Sequence, residues 1–428
     1  MEQKRVVITG IGVVASNGTG IPEFLDSIRK GKSGIRFLPE LRDLNFACQV
    51  GGIPDISQPK SMEVFSQYQI DDASYNLKYI TLSAIEAWND AGLVVPDFID
   101  SDTDYDTGIV IGSAVGNIDV FANVIIPKIL NGNVRRLGSK LAEYSMFNSP
   151  SATIGSILAL GNKNSANSSA CSTGNESIIE GYERINEGKA KRMLVGSCEI
   201  PSPHVWGCFD SMRLLARKYN DQPEIASRPM SASANGFVPS AGGGVLVLEE
   251  LETALHRNAK IYGEILGSHI NSGGQRDGGT MQAPGSLGVQ KCIKNAIIDS
   301  GISSKNIDYI CGHLSSTMAD SLEIKNWCEV LNRYGDDFPY INSLKSMTGH
   351  NLGSAGTIET ISAILQMHYG FIHPSLNCED LHPEIQSLIS VSKIPQKTVF
   401  NTNINIFAKA SFGFGDINSC IIIGKFKK

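Results

Sequence analysis

The stretch Asn167-Ser-Ser-Ala-Cys-Ser-Thr-Gly-Asn-Glu-Ser-Ile-Ile-Glu-Gly-Tyr182 carries Cys171 between a run of small residues and a helical pattern. From residue 175 to 187, apolar residues recur at the spacing of a helix. We therefore expect Cys171 to lie in a tight turn at or near a helix start, where free N–H groups and the positive end of the helix dipole would stabilise a thiolate. A cysteine taken alone is more often a small buried hydrophobe. The other motifs must decide whether Cys171 is a nucleophile.

The composition is that of an ordinary globular protein. The chain has 428 residues, of which 42% are hydrophobic and 19% charged, and this length suits two or three average domains. A net charge of −6 without a long charge block argues against a nucleic-acid-binding protein. No apolar run approaches the roughly 18 residues of a membrane span.

The cysteines and the N-terminus bear on the compartment. The nine cysteines are scattered and form no CxxC pair, so neither a zinc site nor a disulfide framework is indicated, and a reducing, cytoplasmic setting is expected. The apolar N-terminal run is interrupted by Gly10 and Gly12. It therefore fits a buried first strand better than a signal peptide.

Strands alternate with helices in both halves of the chain, which predicts α/β layers. Predicted strands span residues 5–14, 107–113, 192–198, 243–248, 261–269, 309–313, 399–406 and 419–423. Predicted helices span residues 21–29, 72–91, 149–160, 175–187, 287–299, 321–331 and 355–369. Residues 117–132 are expected to be helical in part, with a break at Pro127. We place the domain boundary between residues 255 and 256, which gives halves 1–255 and 256–428.

Three later stretches carry candidate functional residues. Cys311-Gly-His-Leu-Ser-Ser-Thr317 puts His313 at a strand end, which commonly faces the site in α/β proteins. Ser343-Leu-Lys-Ser-Met-Thr-Gly-His-Asn-Leu-Gly-Ser-Ala-Gly356 puts Lys345 and His350 in a loop of small residues before an apolar helix. Ser411-Phe-Gly-Phe-Gly-Asp-Ile-Asn418 can form a mobile turn whose N–H groups point at a ligand, and it lacks the Gly-Lys-Ser/Thr of a phosphate loop.

One cysteine and two histidines in such settings can perform acyl transfer. A thiolate would attack a thioester while backbone N–H groups hold the oxyanion. Two neutral imidazoles could donate hydrogen bonds to a carbonyl and stabilise an enolate. A cysteine hydrolase, by contrast, needs one histidine base with an orienting Asn or Asp.

These motifs resemble those of the elongating β-ketoacyl-acyl carrier protein synthases of the thiolase-like superfamily. The resemblance extends over essentially the whole chain, from Val6-Val-Ile-Thr-Gly-Ile-Gly-Val-Val through Ala226-Ser-Arg-Pro229 and Gly244-Val-Leu-Val-Leu-Glu-Glu250. It is most specific in the Ala-Cys-Ser turn, the later histidine, the Lys-x4-His pair and Phe-Gly-Phe-Gly, which occur in the family's order. It implies a duplicated five-layer αβαβα fold and a homodimer, or a heterodimer with a related subunit.

The resemblance also implies the chemistry. Cys171 resembles the acyl-accepting nucleophile, and His313 and His350 resemble the pair that decarboxylates a malonyl thioester and stabilises the enolate. Lys345 resembles the lysine that organises the histidine site, with Glu323 as its expected carboxylate partner. The implied reaction is a decarboxylative Claisen condensation on acyl carrier protein, without metal or diffusible cofactor.

Further residues of the substrate site follow from the resemblance. The backbone N–H groups of Cys171 and Phe414 resemble the oxyanion hole, and Phe414 also resembles the gatekeeper of the acyl pocket. Ser315 and Thr317 match the hydroxyl residues that hold the pantetheine arm. Val115 falls where the family lines the acyl pocket, and we expect Phe412 in the substrate site as well.

The sequence departs from the family pattern at several points. Family members usually have His-Gly-Thr where this chain has His313-Leu-Ser, an Asn where it has Ala410, and a Gly where it has Asp416. Pro239-Ser-Ala-Gly-Gly-Gly244 replaces an acidic glycine-rich turn.

The expected contact with an acidic carrier protein is altered too. Gln67-Tyr-Gln-Ile-Asp-Asp72 lacks the basic residues often found there, although Arg213, Arg217 and Lys218 could supply a basic patch. A specialised polyketide or polyene pathway is therefore as consistent with the sequence as fatty-acid elongation.

Three alternatives stay open at this point. The first is a non-catalytic chain-length partner of an active synthase, but such partners characteristically lack the cysteine. The second is a degradative thiolase, which would need a second cysteine in a glycine-rich turn, whereas Cys420 lies in a predicted strand. The third is a cysteine hydrolase.

Overall fold

The structure is a computed structural model that describes residues 3–97 and 101–427. Its strands are β1 (Val6–Ala15), β2 (Gly18–Thr19), β3 (Ile35–Phe37), β4 (Val50–Gly52), β5 (Thr107–Gly112), β6 (Asn164–Ser165), β7 (Arg192–Glu199), β8 (Gly242–Glu250), β9 (Gly263–Ser272), β10 (Tyr309–Cys311), β11 (Tyr340–Asn342), β12 (Phe371–Ile372), β13 (Val399–Phe400), β14 (Ile406–Gly413) and β15 (Ile417–Gly424).

The α-helices alternate with these strands. They are α1 (Ile21–Lys30), α2 (Pro39–Asp43), α3 (Pro59–Gln67), α4 (Tyr75–Asp90), α5 (Ile118–Val120), α6 (Ile126–Leu130), α7 (Lys140–Ser145), α8 (Ser149–Ile157), α9 (Thr173–Asn186), α10 (Pro203–Ser211), α11 (Leu251–His256), α12 (Ser286–Asp299), α13 (Ala319–Leu331), α14 (Lys345–Thr348), α15 (Ala355–Tyr369) and α16 (Pro383–Leu388). Among the described residues, no helix combines the length and apolar character needed to cross a bilayer.

The main sheet shows that the fold is duplicated. From its centre outward, one half has the order β1-β8-β7-β5-β6 and the other β9-β15-β14-β10-β11. In both halves the first strand pairs antiparallel with the last, and the two outer pairings are parallel. A short antiparallel pairing between β1 and β9, with Val6 opposite Ile265, joins the halves.

The two halves of this sheet form two β layers, and three groups of helices complete the five layers. Between the halves lie α9 and α15, and α15 is buried from Ala355 to Met367, where its apolar side chains belong to the central core cluster. An outer apolar cluster contains side chains from α4 and α8 on one half, and another contains side chains from α12, α13 and α16 on the other. The predicted duplicated αβαβα fold is confirmed.

Most predicted elements agree with the structure, and the exceptions have physical reasons. Pro127 does not break the helix, because it lies in the first turn of α6, where its missing N–H is not needed. A π-helical turn at Phe121–Ile125 instead joins α5 to α6. The strand predicted at 399–406 is wrong, because only Val399–Phe400 is extended there and the long strand β14 begins at Ile406.

Several short elements were not predicted, and two of them belong to or lie near the site-bearing sheet. One is α10, between β7 and β8, and the other is Tyr340–Asn342, an edge strand of the main sheet. The boundary predicted between residues 255 and 256 falls inside α11, which follows the last strand of the first half. It stays a prediction.

Candidate active site

Cys171 lies two residues before α9, in the turn predicted from the sequence. Ala170 has a φ of 49°, which tightens the turn, and the thiol-bearing residue is half-buried. The first N–H groups of the helix region are already used: Ser172 N donates to Ser169 O at 3.0 Å, and Thr173 N to Ala170 O at 3.2 Å. The turn therefore presents Cys171 but offers its thiol few free donors.

The expectation of a stabilised thiolate is wrong for the protein without substrate. Burial raises the pKa of Cys171 to about 11, which outweighs the nearby Lys345 charge and a hydrogen bond from the backbone N–H of Phe414. The physical reason is desolvation, since a thiolate here would lose its water without gaining enough donors. The thiol is protonated at neutral pH and must lose its proton as it reacts.

The turn after β14 packs directly on the cysteine. A Cβ on Gly413 would lie 2.9 Å from Ser169 O and 3.3 Å from the backbone N of Cys171, so only glycine fits this contact. The close approach puts the Phe414 N–H within hydrogen-bonding reach of the Cys171 thiol. Two backbone N–H groups, of Cys171 and Phe414, thus lie beside the sulfur, as a carbonyl oxygen bound there would require.

Both predicted histidines reach the same place. His313 follows the end of β10 and His350 follows α14, and their rings lie 5.4 Å apart at an angle of 82°. His350 Nδ1 accepts a hydrogen bond from the backbone N–H of Leu352 at 3.1 Å. Its Nε2 is therefore the N–H of the neutral ring. Within the described part of the chain, no group forms a hydrogen bond with the buried Nδ1 of His313.

The histidines are neutral because of their surroundings. Burial, together with the charges of Lys345 and Lys409, holds the pKa of both His313 and His350 well below the ordinary value. A neutral imidazole donates one N–H without carrying charge, so the pair suits stabilisation of a developing enolate rather than delivery of a formal proton.

Lys345 is buried. The sequence analysis named Glu323 as its carboxylate partner, but the two side chains do not form an ion pair. Its Nζ donates to the carbonyl of His313 at 2.6 Å and forms an ion pair with Glu359 on α15. The other oxygen of Glu359 lies 2.9 Å from the Nζ of Lys409 on β14. One buried carboxylate is thus shared by two buried lysines behind the histidine pair.

Glu323 positions the histidine segment instead. Its two carboxylate oxygens accept the backbone N–H groups of His313 and Leu314, both at 2.7 Å. Burial raises the pKa of this carboxyl to about 7, against the lowering effect of those two hydrogen bonds. The prediction of a supporting carboxylate at Glu323 therefore names a nearby group but the wrong partner for Lys345.

The predicted reactive side chains line one cavity with a volume of about 750 Å³. Cys171, His313, His350, Phe412 and Phe414 line it, together with the remaining predicted substrate residues, Val115, Ser315 and Thr317. The structure therefore brings the predicted substrate residues to one cavity. The hydroxyls of Ser315 and Thr317 lie 3.1 Å apart.

An aromatic circuit surrounds the reactive groups. It consists of six neighbouring rings, in the order Phe412, His313, His350, Phe237, Phe209 and Phe414. Ring centroids of neighbours are between 5.2 Å and 5.9 Å apart, and most contacts are edge to face. Because Phe412 and Phe414 are two residues apart, the chain itself closes the circuit.

Sequence reasoning missed four residues of this site. Two of them, Glu359 and Lys409, left a usable signal, because each is the one Asp, Glu, Lys or Arg in its element. Phe209 and Phe237 left none, since aromatic residues are common in cores. Among the described residues, no cluster of three or more His, Cys, Asp or Glu side chains could hold a metal ion.

Comparison with known proteins agrees with this geometry. The β-ketoacyl synthase N-terminal domain matches residues 3–254, and the β-ketoacyl synthase C-terminal domain matches residues 262–379. The 3-oxoacyl-[acyl-carrier-protein] synthase 1 of Haemophilus influenzae is 35% identical over 430 residues, which cover 99% of each chain.

Solved structures give the same answer. A β-ketoacyl synthase from Burkholderia phymatum superposes with a TM-score of 0.88 at 26% identity, over 99% of this chain and all of that one. A type II polyketide acyl-carrier protein in complex with its ketosynthase gives a TM-score of 0.86 at 27% identity, over the same shares of the two chains.

Fold and site together define a condensing enzyme of the thiolase-like fold. The chain belongs to the β-ketoacyl synthase family, and it is an acyltransferase that forms carbon–carbon bonds.

Proposed function

We propose that this β-ketoacyl synthase elongates an acyl group held on Cys171 with a malonyl unit held on an acyl carrier protein. The observation that supports this most is the meeting of a half-buried thiol, two backbone N–H groups and two neutral imidazoles in one cavity. A hydrolase would need a histidine base with an orienting partner. Here His350 Nδ1 accepts a hydrogen bond from the backbone N–H of Leu352, so it is not oriented by a carboxylate or amide side chain.

In the first half-reaction, Cys171 sulfur attacks the carbonyl carbon of the acyl-carrier thioester. A new carbon–sulfur bond forms at Cys171, the bond to the carrier's pantetheine sulfur breaks, and the Cys171 proton ends on that leaving thiol. The N–H groups of Cys171 and Phe414 hold the oxygen as it becomes negative. The raised pKa of Cys171 means that proton loss accompanies the attack.

In the second half-reaction, the malonyl thioester loses CO2 and its electron pair becomes an enolate. The N–H groups of His313 and His350 stabilise the enolate oxygen. The enolate carbon then attacks the acyl carbonyl on Cys171, a carbon–carbon bond forms and the Cys171 carbon–sulfur bond breaks. The product is a 3-oxoacyl-carrier protein two carbons longer, and the thiol is regenerated by taking up a proton.

No metal or diffusible cofactor is assigned to this cycle. Decarboxylation of the malonyl thioester supplies the carbanion, and the thioester carbonyl delocalises it. Lys345 acts through His313, because its ammonium fixes the backbone carbonyl of that residue.

The mouth of the cavity suits a carrier protein. The hydroxyls of Ser315 and Thr317 can hydrogen-bond the amides of a pantetheine arm, and Val115 and Phe412 give the acyl chain apolar walls. Arg213 lines the same cavity and is exposed, as is Lys218. Arg217 contributes less, because it is half-buried and donates to the carbonyl of Asp210.

We further propose a homodimer in the cytoplasm. An exposed apolar face around α5 and α6, made of Ile118, Phe121, Ile126, Ile129 and Leu130, supports a second ketosynthase chain as its occupant. A related subunit in a heterodimer would use the same face. All nine cysteines are free, which supports a reducing compartment.

The alternatives are less well supported. A non-catalytic chain-length partner would not require a cysteine beside two backbone N–H donors. A thiolase would need a second cysteine in the cavity, but Cys420 on β15 is buried in the core cluster of the second half.

The test is intact-mass analysis with a panel of acyl-carrier proteins, followed by malonyl-carrier protein. We expect an acyl adduct on Cys171 and then a product two carbons longer, and no adduct in Cys171→Ala. Cys208→Ala is the matched control, because this exposed cysteine does not line the cavity and its loss should leave acylation intact. Acylation of Cys171→Ala, or release of free acid without condensation, would refute the proposal.

A further inference from the structure

Lys409 is a buried cation for which the mechanism above gives no role. Its side chain is 0% exposed, on a strand whose other residues are apolar or small. Besides its ion pair with Glu359, its Nζ donates to the hydroxyl of Ser411 at 3.1 Å and to the carbonyl of Ala410. An apolar residue at such a position is often as stable or more so, because burying an ammonium costs several kcal/mol of desolvation. Stability alone therefore does not explain the lysine.

The two lysines leave an excess positive charge. Glu359 gives one oxygen to Lys345 and the other to Lys409, so one anion faces two cations. Burial is the largest single effect on the pKa of Lys409 and lowers it, but the charge and hydrogen bond of Glu359, together with smaller effects of Cys311 and Glu323, raise the pKa above its ordinary value. The formal charges of these three side chains therefore sum to +1.

Nearby acidic groups do not cancel this charge by contact. On α13, Asp320 accepts backbone N–H groups, and Glu323, whose pKa is raised to about 7 by burial, does the same. Glu199 at the end of β7 has its pKa raised to about 8 by burial, so it is largely protonated. Burial also keeps the thiols of Cys311 on β10 and Cys171 protonated, with pKa values of about 12 and about 11.

We propose that Lys409 is a positioning residue for the decarboxylation step. Its ammonium fixes Glu359 against Lys345 and supplies the excess positive charge that keeps His313 and His350 as neutral N–H donors. The inference rests on the roles proposed above for the two histidines.

Two observations support the assignment. Both lysine charges lower the pKa of His313 and of His350, in addition to the effect of burial. Since Glu359 is held on both oxygens, it cannot turn away from Lys345, whose ammonium holds the carbonyl of His313. Lys409 therefore acts on the histidines by charge and by geometry, without touching substrate.

The experiment compares Lys409→Met, Lys409→Arg and the wild type, with Lys425→Met as the matched control. Lys425 follows β15, and its Nζ bonds the side chain of Asn403 near the surface, outside the cavity. Decarboxylation of malonyl-carrier protein is measured from pH 5 to pH 9. Acylation of Cys171 is followed in parallel by intact mass.

Among these variants, we expect only Lys409→Met to decarboxylate malonyl-carrier protein more slowly than the wild type in the acidic part of this pH range. Its ratio of rates at pH 8 and pH 6 should exceed that of the wild type by roughly three- to tenfold, because one nearby charge is gone. Lys409→Arg keeps the charge and should follow the wild type, as should Lys425→Met. If Lys409→Met does not fold, Lys409→Gln removes the same charge and keeps a hydrogen-bond donor.

Three outcomes are decisive against the inference. If the neutral variant has the wild-type pH profile, even at a lower overall rate, Lys409 is merely structural. If the wild type acylates Cys171 but the decarboxylation rates of all variants are equal, the inference fails while the proposed function stands. A wild type that neither acylates nor decarboxylates would overturn both.

Discussion

Gly174 and Gly356 face each other where the two central helices begin. A Cβ on Gly174 would lie 2.6 Å from the backbone N of Thr357, and one on Gly356 would lie 2.4 Å from the backbone N of Asn175. Backbone therefore packs on backbone between α9 and α15. This contact fixes Cys171, just before one helix, relative to Glu359, in the first turns of the other.

The histidine pair should be needed for decarboxylation and not for acylation. We expect His313→Asn and His350→Asn each to lose about 10²–10³-fold in malonyl decarboxylation, the usual cost of removing one donor to a developing oxyanion. Acyl transfer to Cys171, measured by intact mass, should persist. His256→Asn, an exposed histidine, is the control. Loss of acylation equal to that of decarboxylation would assign the pair to the first step.

The protonated state of Cys171 can be tested directly. Because burial raises its pKa to about 11, the thiolate fraction grows as pH rises through the neutral range. Alkylation of Cys171 by iodoacetamide should accelerate about tenfold per pH unit from pH 7 to pH 9. Peptide mass mapping follows the site, with exposed Cys208 as an internal reference. A rate that is already constant at pH 7 would show a stabilised thiolate.

Glu359 should be essential for stability. Glu359→Gln leaves two buried ammoniums without a counter-ion, and breaking a buried ion pair in this way typically costs about 3–5 kcal/mol. Urea unfolding measures the change. The matched control is Asp43→Asn, which breaks the exposed pair with Arg42 at 2.8 Å and should cost less than about 1 kcal/mol. Similar losses in both variants would contradict the buried triad.

Val115 should limit the acyl chain. It is half-buried on the cavity wall, so Val115→Phe takes space from the apolar part of the cavity. We expect long acyl groups to lose roughly tenfold or more in transfer to Cys171, with short ones retained. Competition between carrier proteins of different chain length measures this. Val94→Phe, at a position that is 86% exposed, should leave the preference unchanged.

The sequence singled out Cys171, His313 and His350 because each lies in a short motif of small residues, and the structure brings all three to one cavity. Their motifs could be recognised without any information on tertiary contacts. The partner of Lys345 could not be found that way, since Glu323 and Glu359 are both carboxylates in helices and only the packing of α15 distinguishes them.

The fold was predictable for a different reason. The alternation of apolar strands and helices is a local signal, and α15 was predicted with its observed bounds. Predictions failed where tertiary contacts determine the property. The pKa of Cys171 depends on its burial. The bounds of β14 depend on its pairing with β15.

The aromatic circuit has a consequence for substrate entry. In that circuit, moving the Phe414 ring breaks one ring contact, with Phe209, while the contacts of His313 and His350 with each other and with Phe237 persist. Such a contact is worth about 0.5–1.5 kcal/mol beyond buried area. The Phe414 ring can therefore turn aside, as an arriving acyl chain would require, while the histidine pair stays assembled.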